Sequence, residues 1–197
     1  MFDGRTKICK HHYIFEQIFV EIQELVFMII RLAEGQLRTK YGEWKEALYY
    51  DGQRETIAFY MGDVEGAEDV LCRLHSSCIF GHYFNSLECD CQEQMDVSMQ
   101  LIQQAGKGIV ILLDQEGKGN GHFALLNSVA YKRKGLAQAD AYKAVGFKSD
   151  NRDFSAAAKI LQDLGVNSVR MLTGNKNKIK TLEDIGVKVK GIKAVSL

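Results

Sequence analysis

Between residues 12 and 25, Phe15, Ile18, Phe19, Ile22 and Leu25 recur at intervals of three and four, which predicts one apolar face of an amphipathic helix. From residue 27 to 76 that period is lost. Short apolar segments are separated by Tyr41-Gly42, Asp51-Gly52 and Gly62-Asp63, and the Asp51-Gly52 pair between residues 44–50 and 56–60 predicts a β-hairpin. This region is expected to be mainly antiparallel strand. After Cys91 the pattern changes again. Met95, Met99 and Ile102 share a helical face, residues 108–113 read as a buried strand, and residues 115–121 as a glycine-rich loop. A helix over about 123–134 should stop at Gly135, and another over 155–164 at Gly165. A strand at 168–172, a loop at 173–178, a helix near 180–185 and a strand at 187–192 complete the chain. The fold class expected is α+β: N-terminal antiparallel strands and hairpins followed by an α/β layer in a single domain.

Composition narrows the partners. The 197 residues are 46% hydrophobic and 25% charged, as globular domains are, and 25 Lys+Arg balance 25 Asp+Glu. A zero balance lacks the basic excess that nucleic acid or an acidic membrane surface selects, so neither is an expected partner. In the apolar stretch 13–30, Glu16, Glu21 and Glu24 interrupt, and the longest unbroken run is the six residues 25–30. That is too short for a membrane span or secretory signal, and the chain is expected to be cytoplasmic. Proline is absent, so 18 glycines provide the punctuation.

Three of the five cysteines, Cys78, Cys89 and Cys91, fall within fourteen residues. Three soft sulfur donors suit zinc and would leave a fourth position for water; a further ligand from His75 or His82 would make such a site structural, and three unmetallated thiols are the remaining alternative. The run Gln115, Glu116, Gly117, Lys118, Gly119, Asn120, Gly121 between a strand and a helix suits an anion, through backbone amides and the Lys118 charge, or is only a flexible turn. Ser149, Asp150, Asn151, Arg152, Asp153 and Phe154 precede a helix, where such a run also serves as a cap with surface ion pairs. Tyr131 on its helix reads as core.

Together these residues resemble the GTP cyclohydrolase II family over about residues 30–194. The resemblance lies in Arg73-Leu74-His75-Ser76, Cys78, Gly81, Phe84, Ser86, Cys89-Asp90-Cys91, Gln115-Glu116-Gly117, Ala130-Tyr131, Gly146-Phe147, Asp150, Arg152-Asp153-Phe154, Leu164-Gly165-Val166 and Leu172-Thr173. It implies a zinc hydrolase of riboflavin synthesis that opens the purine ring of GTP and releases formate and pyrophosphate. One Zn2+ per chain would be held by Cys78, Cys89 and Cys91 and would activate a water toward C8 of the base, with Mg2+ accompanying the substrate phosphates. Tyr131 would assist at the base, Asp150 would be a general base, and Arg152 would act at the α-phosphate. An arginine is physically better suited to stabilising that phosphate than to attacking it. Arg73, His75, Ser76, Gln94, Glu116, Gly117, Lys118, Thr173 and Lys178 would contact the nucleotide. A homodimer is implied as well, with residues 1–25 a helical extension to a catalytic domain at 26–197.

The chain departs from the family pattern at Ser77 (usually Glu), His82 (Asp), Glu88 (Arg), Gln92 (Gly) and Lys118 (Arg), and Gln138 stands near a usual Thr. About two additional residues precede Tyr131. These changes leave open a divergent enzyme of another pathway, such as uracil catabolism, or a catalytically silent nucleotide-binding protein. Lys176 stands where the family commonly has proline, so the loop at 173–178 is expected to be looser.

Overall fold

A computed structural model of the protein describes residues 28–195, and the helical face expected at 12–25 lies outside the described residues. The chain opens with β1 (Ile30–Thr39), β2 (Gly42–Tyr50) and β3 (Glu55–Met61), an antiparallel meander. The Asp51-Gly52 hairpin forms. The Asp51 carboxylate accepts from the amides of Gln53 and Arg54 at 2.8 and 2.7 Å, and Gly52 supplies the positive φ the turn needs.

Next come β4 (Val70–Ser76), α1 (Ile79–Phe84), α2 (Cys91–Ala105), β5 (Gly108–Leu113), a 3-10 turn (Glu116–Gly119), α3 (His122–Arg133), α4 (Gln138–Ala144), α5 (Ser155–Asp163), β6 (Val169–Met171), α6 (Lys176–Asp184) and β7 (Val189–Ile192). One seven-stranded sheet has the order β1-β2-β3-β5-β4-β6-β7. It is antiparallel from β1 through β5, whereas β4 runs parallel to both β5 and β6. The antiparallel reading of the first half therefore fails at β4, because the crossover through α2 brings β5 back beside it in the same direction.

Alternation along β4 sorts the interior from the site. Val70, Cys72 and Leu74 join the larger core with Ile109, Ile111, Leu113 and the apolar face of α5. Leu71 packs toward α2 with Trp44, Val110, Met95 and Met99, so period two puts Arg73 and His75 on that same α2 side. The carboxyl ends of β4, β5 and β6 lie side by side, where ligands gather on parallel strands.

Two helices are not expected from the sequence, α1 and α4, and α6 begins earlier than expected. Only residues 173–175 are loop. Asn175 caps α6 by accepting from the Asn177 amide at 2.9 Å, so Lys176 and Lys178 belong to its first turn. Lys178 is buried there, which corrects the looser loop expected over 173–178.

Candidate active site

Beyond the ends of β4 and β5 lies a cavity of about 1090 Å³, lined by residues that also include the start of α2, the 3-10 turn and one face of α3 and α4. Arg73, His75, Ser76, Cys78, Cys89, Cys91, Gln94, Glu116, Gly117, Lys118, Arg152 and Lys178 all line it. Asp150 and Thr173 do not, and neither does Tyr131.

The three sulfurs of Cys78, Cys89 and Cys91 lie within 4.8 Å of one another, the one group of three or more such ligand residues among the described residues. Gly81 makes the space. A Cβ there would stand 3.0 Å from Cys91 Cβ and 3.1 Å from Cys89 Sγ. A hydrogen bond from the Cys91 thiol, offset in part by burial and helped by the Gly81 amide, lowers the Cys78 thiol to about 5. The same bond holds Cys91 well above its ordinary value. One sulfur is thus ready to ionise first, and a cation would replace the proton the cluster now shares.

Arg73, His75 and Gln94 form a buried network beside it. Arg73 donates to the Leu172 carbonyl at 2.8 Å and to Gln94 Oε1 at 2.5 Å, while Gln94 Nε2 donates to Asp90 Oδ2 at 2.7 Å. Arg73 Nε also donates to His75 Nδ1 at 3.4 Å, and an arginine cannot accept in return. His75 therefore carries its proton on Nε2, which lies 3.0 Å from His82 Nε2. Burial first, and then Arg73, His82 and Lys178, push His75 down to about 2, so the ring is neutral. With its nitrogens committed to Arg73 and His82, and neither histidine in the group of candidate metal ligands, the cluster stays at three sulfurs.

The glycine-rich turn is docked against the loop that carries Arg152. Gly117, Lys118 and Gly119 have φ of 62, 54 and 79°, and at Lys118 that conformation costs about 1 kcal/mol. Lys118 O accepts from the Asn151 amide at 2.9 Å, and Gln115 Oε1 accepts from the Asp153 amide at 3.0 Å. A Cβ on Gly119 would meet Asn151 O at 2.5 Å. Gly119→Ala is expected to cost about 2–4 kcal/mol in urea unfolding, by parting the turn from the Arg152 loop and straining a positive φ.

That loop holds a two-pronged ion pair. Arg152 Nε and Nη2 donate to Asp150 Oδ1 and Oδ2 at 2.9 and 2.5 Å, and the Arg152 amide adds a third bond to Oδ1 at 3.1 Å. Burial raises the Asp150 carboxyl, but the Arg152 bonds and charge and Lys118 outweigh it, and the net shift is downward. Lys178 is more perturbed. Its ammonium donates to Leu74 O at 2.7 Å, and burial, then Arg73 and Arg152, bring it down to about 7. Two buried polar atoms in the cavity wall, Ser76 Oγ and Glu116 Oε1, have no hydrogen-bond partner among the described residues, although His122 Nδ1 stands 3.8 Å from Glu116 Oε1. Burial, opposed by the Ile79 amide on Oε2, leaves the Glu116 carboxyl raised.

Three expected positions differ. Thr173 Oγ1 accepts from the Asn175 amide at 3.0 Å and shapes the turn into α6 instead of facing the cavity. Asp150 stands behind Arg152. Tyr131 lies on the outer side of α3, 37% exposed, with the Lys134 ammonium 5.5 Å from its ring centroid. On α3, Leu125 and Lys132 are seven residues apart and share the cavity face, and Tyr131, one residue before Lys132, is turned about 100° away from it. The face of α3 turned inward carries Leu125 and Lys132 on the cavity and the buried Ser128 between them.

Lys132 and Tyr142 line the cavity without any motif that marks them as site residues, and they are joined there by Gln138, already noted as standing near a usual Thr. Lys132 donates to the Glu88 carbonyl, and the Glu88 carboxylate pairs with Arg133 at 2.8 Å. The charge reversed at Glu88 is thereby absorbed, and Lys132 supplies a cation to the wall. The one signal for α4, too weak to predict it, is that Gln138 and Tyr142 are four apart ahead of Gly146.

The family model described as GTP cyclohydrolase II matches residues 30–194. The chain is 38% identical over 163 residues to GTP cyclohydrolase-2 of Actinobacillus succinogenes, covering 82% of this chain and 75% of that one. It is 41% identical over 162 residues to GTP cyclohydrolase-2 of Streptomyces coelicolor, covering 81% and 73%. Riboflavin biosynthesis protein RibBA of Chlorobium phaeovibrioides is 37% identical over 164 residues, 82% of this chain and 40% of that longer protein. Among the described residues, no helix is long and apolar enough to cross a membrane.

Proposed function

Because the chain belongs to the GTP cyclohydrolase II family, we propose that it is a zinc-dependent hydrolase that opens the purine ring of GTP or a closely related nucleotide, releasing formate and pyrophosphate. One observation carries this reading. A three-sulfur cluster, two buried polar atoms that make no hydrogen bond among the described residues and the cations Arg73, Lys118, Arg152 and Lys178 share one cavity. A metal site beside an anion site is what a purine nucleoside triphosphate requires.

The sulfurs suit zinc. Zn–S bonds of about 2.3 Å in a tetrahedron set the sulfurs about 3.8 Å apart, and Cys78 and Cys89 Sγ are 3.7 Å apart. Zinc bound there supplies a Lewis acid and water acidic enough to react near neutral pH. The chain's own groups do the rest. Glu116 Oε1, which has only His122 Nδ1 at 3.8 Å, and Ser76 Oγ have hydrogen-bonding capacity left for the base or ribose, and Arg152, fixed by Asp150, would meet phosphate charge that grows as pyrophosphate leaves. Asp150, with both oxygens on Arg152, acts here as a positioning residue. Ser77, Glu88, Gln92, Lys118 and Gln138, where the chain departs from the family pattern, all line the cavity. The choice among purine nucleotides is therefore where it should differ from its relatives. In this reading the catalytic unit is 26–197, it pairs with a second copy, and 1–25 is an addition to it.

The test is a panel of purine nucleoside triphosphates assayed for formate and pyrophosphate with zinc-loaded protein. Release of both from at least one supports the reading, and binding without turnover by any would replace it with a silent nucleotide-binding protein.

Lys178 gives a pH dependence. Below about 7 its ammonium is charged and attracts phosphate, and above that the free protein loses this charge. Lys178→Met should weaken nucleotide binding by about tenfold at pH 6 and by about twofold or less at pH 9. Calorimetric titration of both proteins at the two pH values checks this.

A further inference from the structure

The cavity wall contains a tyrosine whose hydroxyl nothing in the described structure uses. Tyr142, on α4, is 1% exposed and lines the cavity together with Gln138 one turn earlier. Its hydroxyl lies 3.6 Å from where a Cβ on Gly117 would stand, so the phenol tip rests over the glycine-rich turn at a point left open by the missing side chain. No described residue hydrogen-bonds this hydroxyl. The oxygen is not one of the fully buried unpartnered atoms, so the little exposure this side chain keeps leaves its hydroxyl open to an acceptor in the cavity. The helix that carries it is fixed. Gln138 Nε2 donates to Ser128 Oγ at 2.9 Å, and Ser128 Oγ donates to Leu125 O at 2.7 Å, which ties α4 to the inward face of α3.

Tyr131 has none of these properties. It is off the cavity and solvent-facing, on the side of α3 turned away from Leu125 and Lys132. We propose that Tyr142, and not Tyr131, is the tyrosine that touches the bound nucleotide, donating its hydroxyl proton to an acceptor on the purine or ribose. This rests on the nucleotide reading of the cavity given above. The groups around the phenol keep it a donor: burial first, then the negative charge of Glu116 and Cys78, hold its proton well beyond the neutral range. A phenol there selects a ligand with an acceptor facing α4. The residue is catalytic in the sense of touching substrate, and it needs no proton transfer to act.

The experiment uses the full chain loaded with zinc and a GTP analogue bridged by methylene between its α- and β-phosphates. Wild type, Tyr142→Phe and Tyr131→Phe are compared by calorimetric titration and thermal unfolding. Tyr142→Phe should raise Kd about tenfold with an unchanged Tm, since the deleted oxygen bonds no protein group, and Tyr131→Phe should leave Kd within about twofold. Wild-type binding with Tyr142→Phe unchanged, or with the loss found in Tyr131→Phe, overturns the inference alone. A fall in Tm with no change in Kd overturns it too, by making the hydroxyl structural. Wild-type protein that binds neither this analogue nor the corresponding analogues of other purine nucleoside triphosphates overturns the nucleotide reading and this inference with it.

Discussion

Cys89→Ser is expected to abolish turnover, by at least ~10³-fold, and to reduce zinc from about one per chain to a small fraction. The size of the effect follows from ligand count. The described residues bring together three sulfurs, with Sγ atoms within 4.8 Å and no imidazole in the group, so each ligand is a third of the protein's hold on the metal. Serine keeps the volume but offers a hydroxyl that ionises far less readily than a thiol. The surrounding fold should persist, because α2 is held by Met95, Met99 and Ile102 against Trp44 and Val110 and not by the cluster. Metal analysis, circular dichroism and turnover on the same sample check this. Retained activity at low zinc would remove the metal from the chemistry, and global unfolding would make the site structural. Gly81→Ala should act in the same direction, since its Cβ would press on Cys89 Sγ and Cys91 Cβ.

The second large effect is at Arg152. Arg152→Ala should lower kcat by ~10²–10³-fold, the cost of losing one preorganised donor to developing oxyanion charge. Arg152→Lys should recover little, because a point charge cannot keep both prongs on Asp150. Asp150→Asn separates two roles for the carboxylate. As a positioning residue it loses about 10–100-fold with an unaltered acidic limb in the pH profile. A general base would instead show a loss as large as Arg152→Ala together with the disappearance of that limb. The three bonds that Asp150 spends on Arg152 favour the first outcome.

Features carried by local chemistry are legible in the sequence. Asp51-Gly52 marks its hairpin, and residues 108–113 read as a strand correspond to β5 (Gly108–Leu113). Three cysteines in fourteen residues mark a cluster that the fold brings together, and chain order places most of the cavity wall. Features that depend on register are not legible. Ala130-Tyr131 reads as a family motif, yet the face of α3 turned to the cavity carries Leu125 and Lys132, and Tyr131 lies off it. Tyr142 escapes notice because the seven-residue α4, rich in alanine and flanked by Gly135 and Gly146, has too weak a periodicity to announce a helix. Lys178 reads as loop because Asn175 capping is a single side-chain bond that competes poorly with the Gly174 turn signal on paper. Its burial, and the shift to about 7 that burial causes, come from neighbours distant in sequence, Leu74, Arg73 and Arg152.

In the proposed function, a metal held by Cys78, Cys89 and Cys91 and a phosphate site built on Arg152 and Lys178 work on one nucleotide in one cavity to open its purine ring. The most direct test of this is carbon-13 NMR of zinc-loaded protein incubated with GTP, and in parallel with other purine nucleoside triphosphates, each labelled at C8. The label should leave as formate, one per nucleotide consumed, with pyrophosphate appearing alongside and neither appearing with the Cys89→Ser protein. Label retained in every nucleotide by active, zinc-replete protein, or formate released equally well by Cys89→Ser, would contradict it.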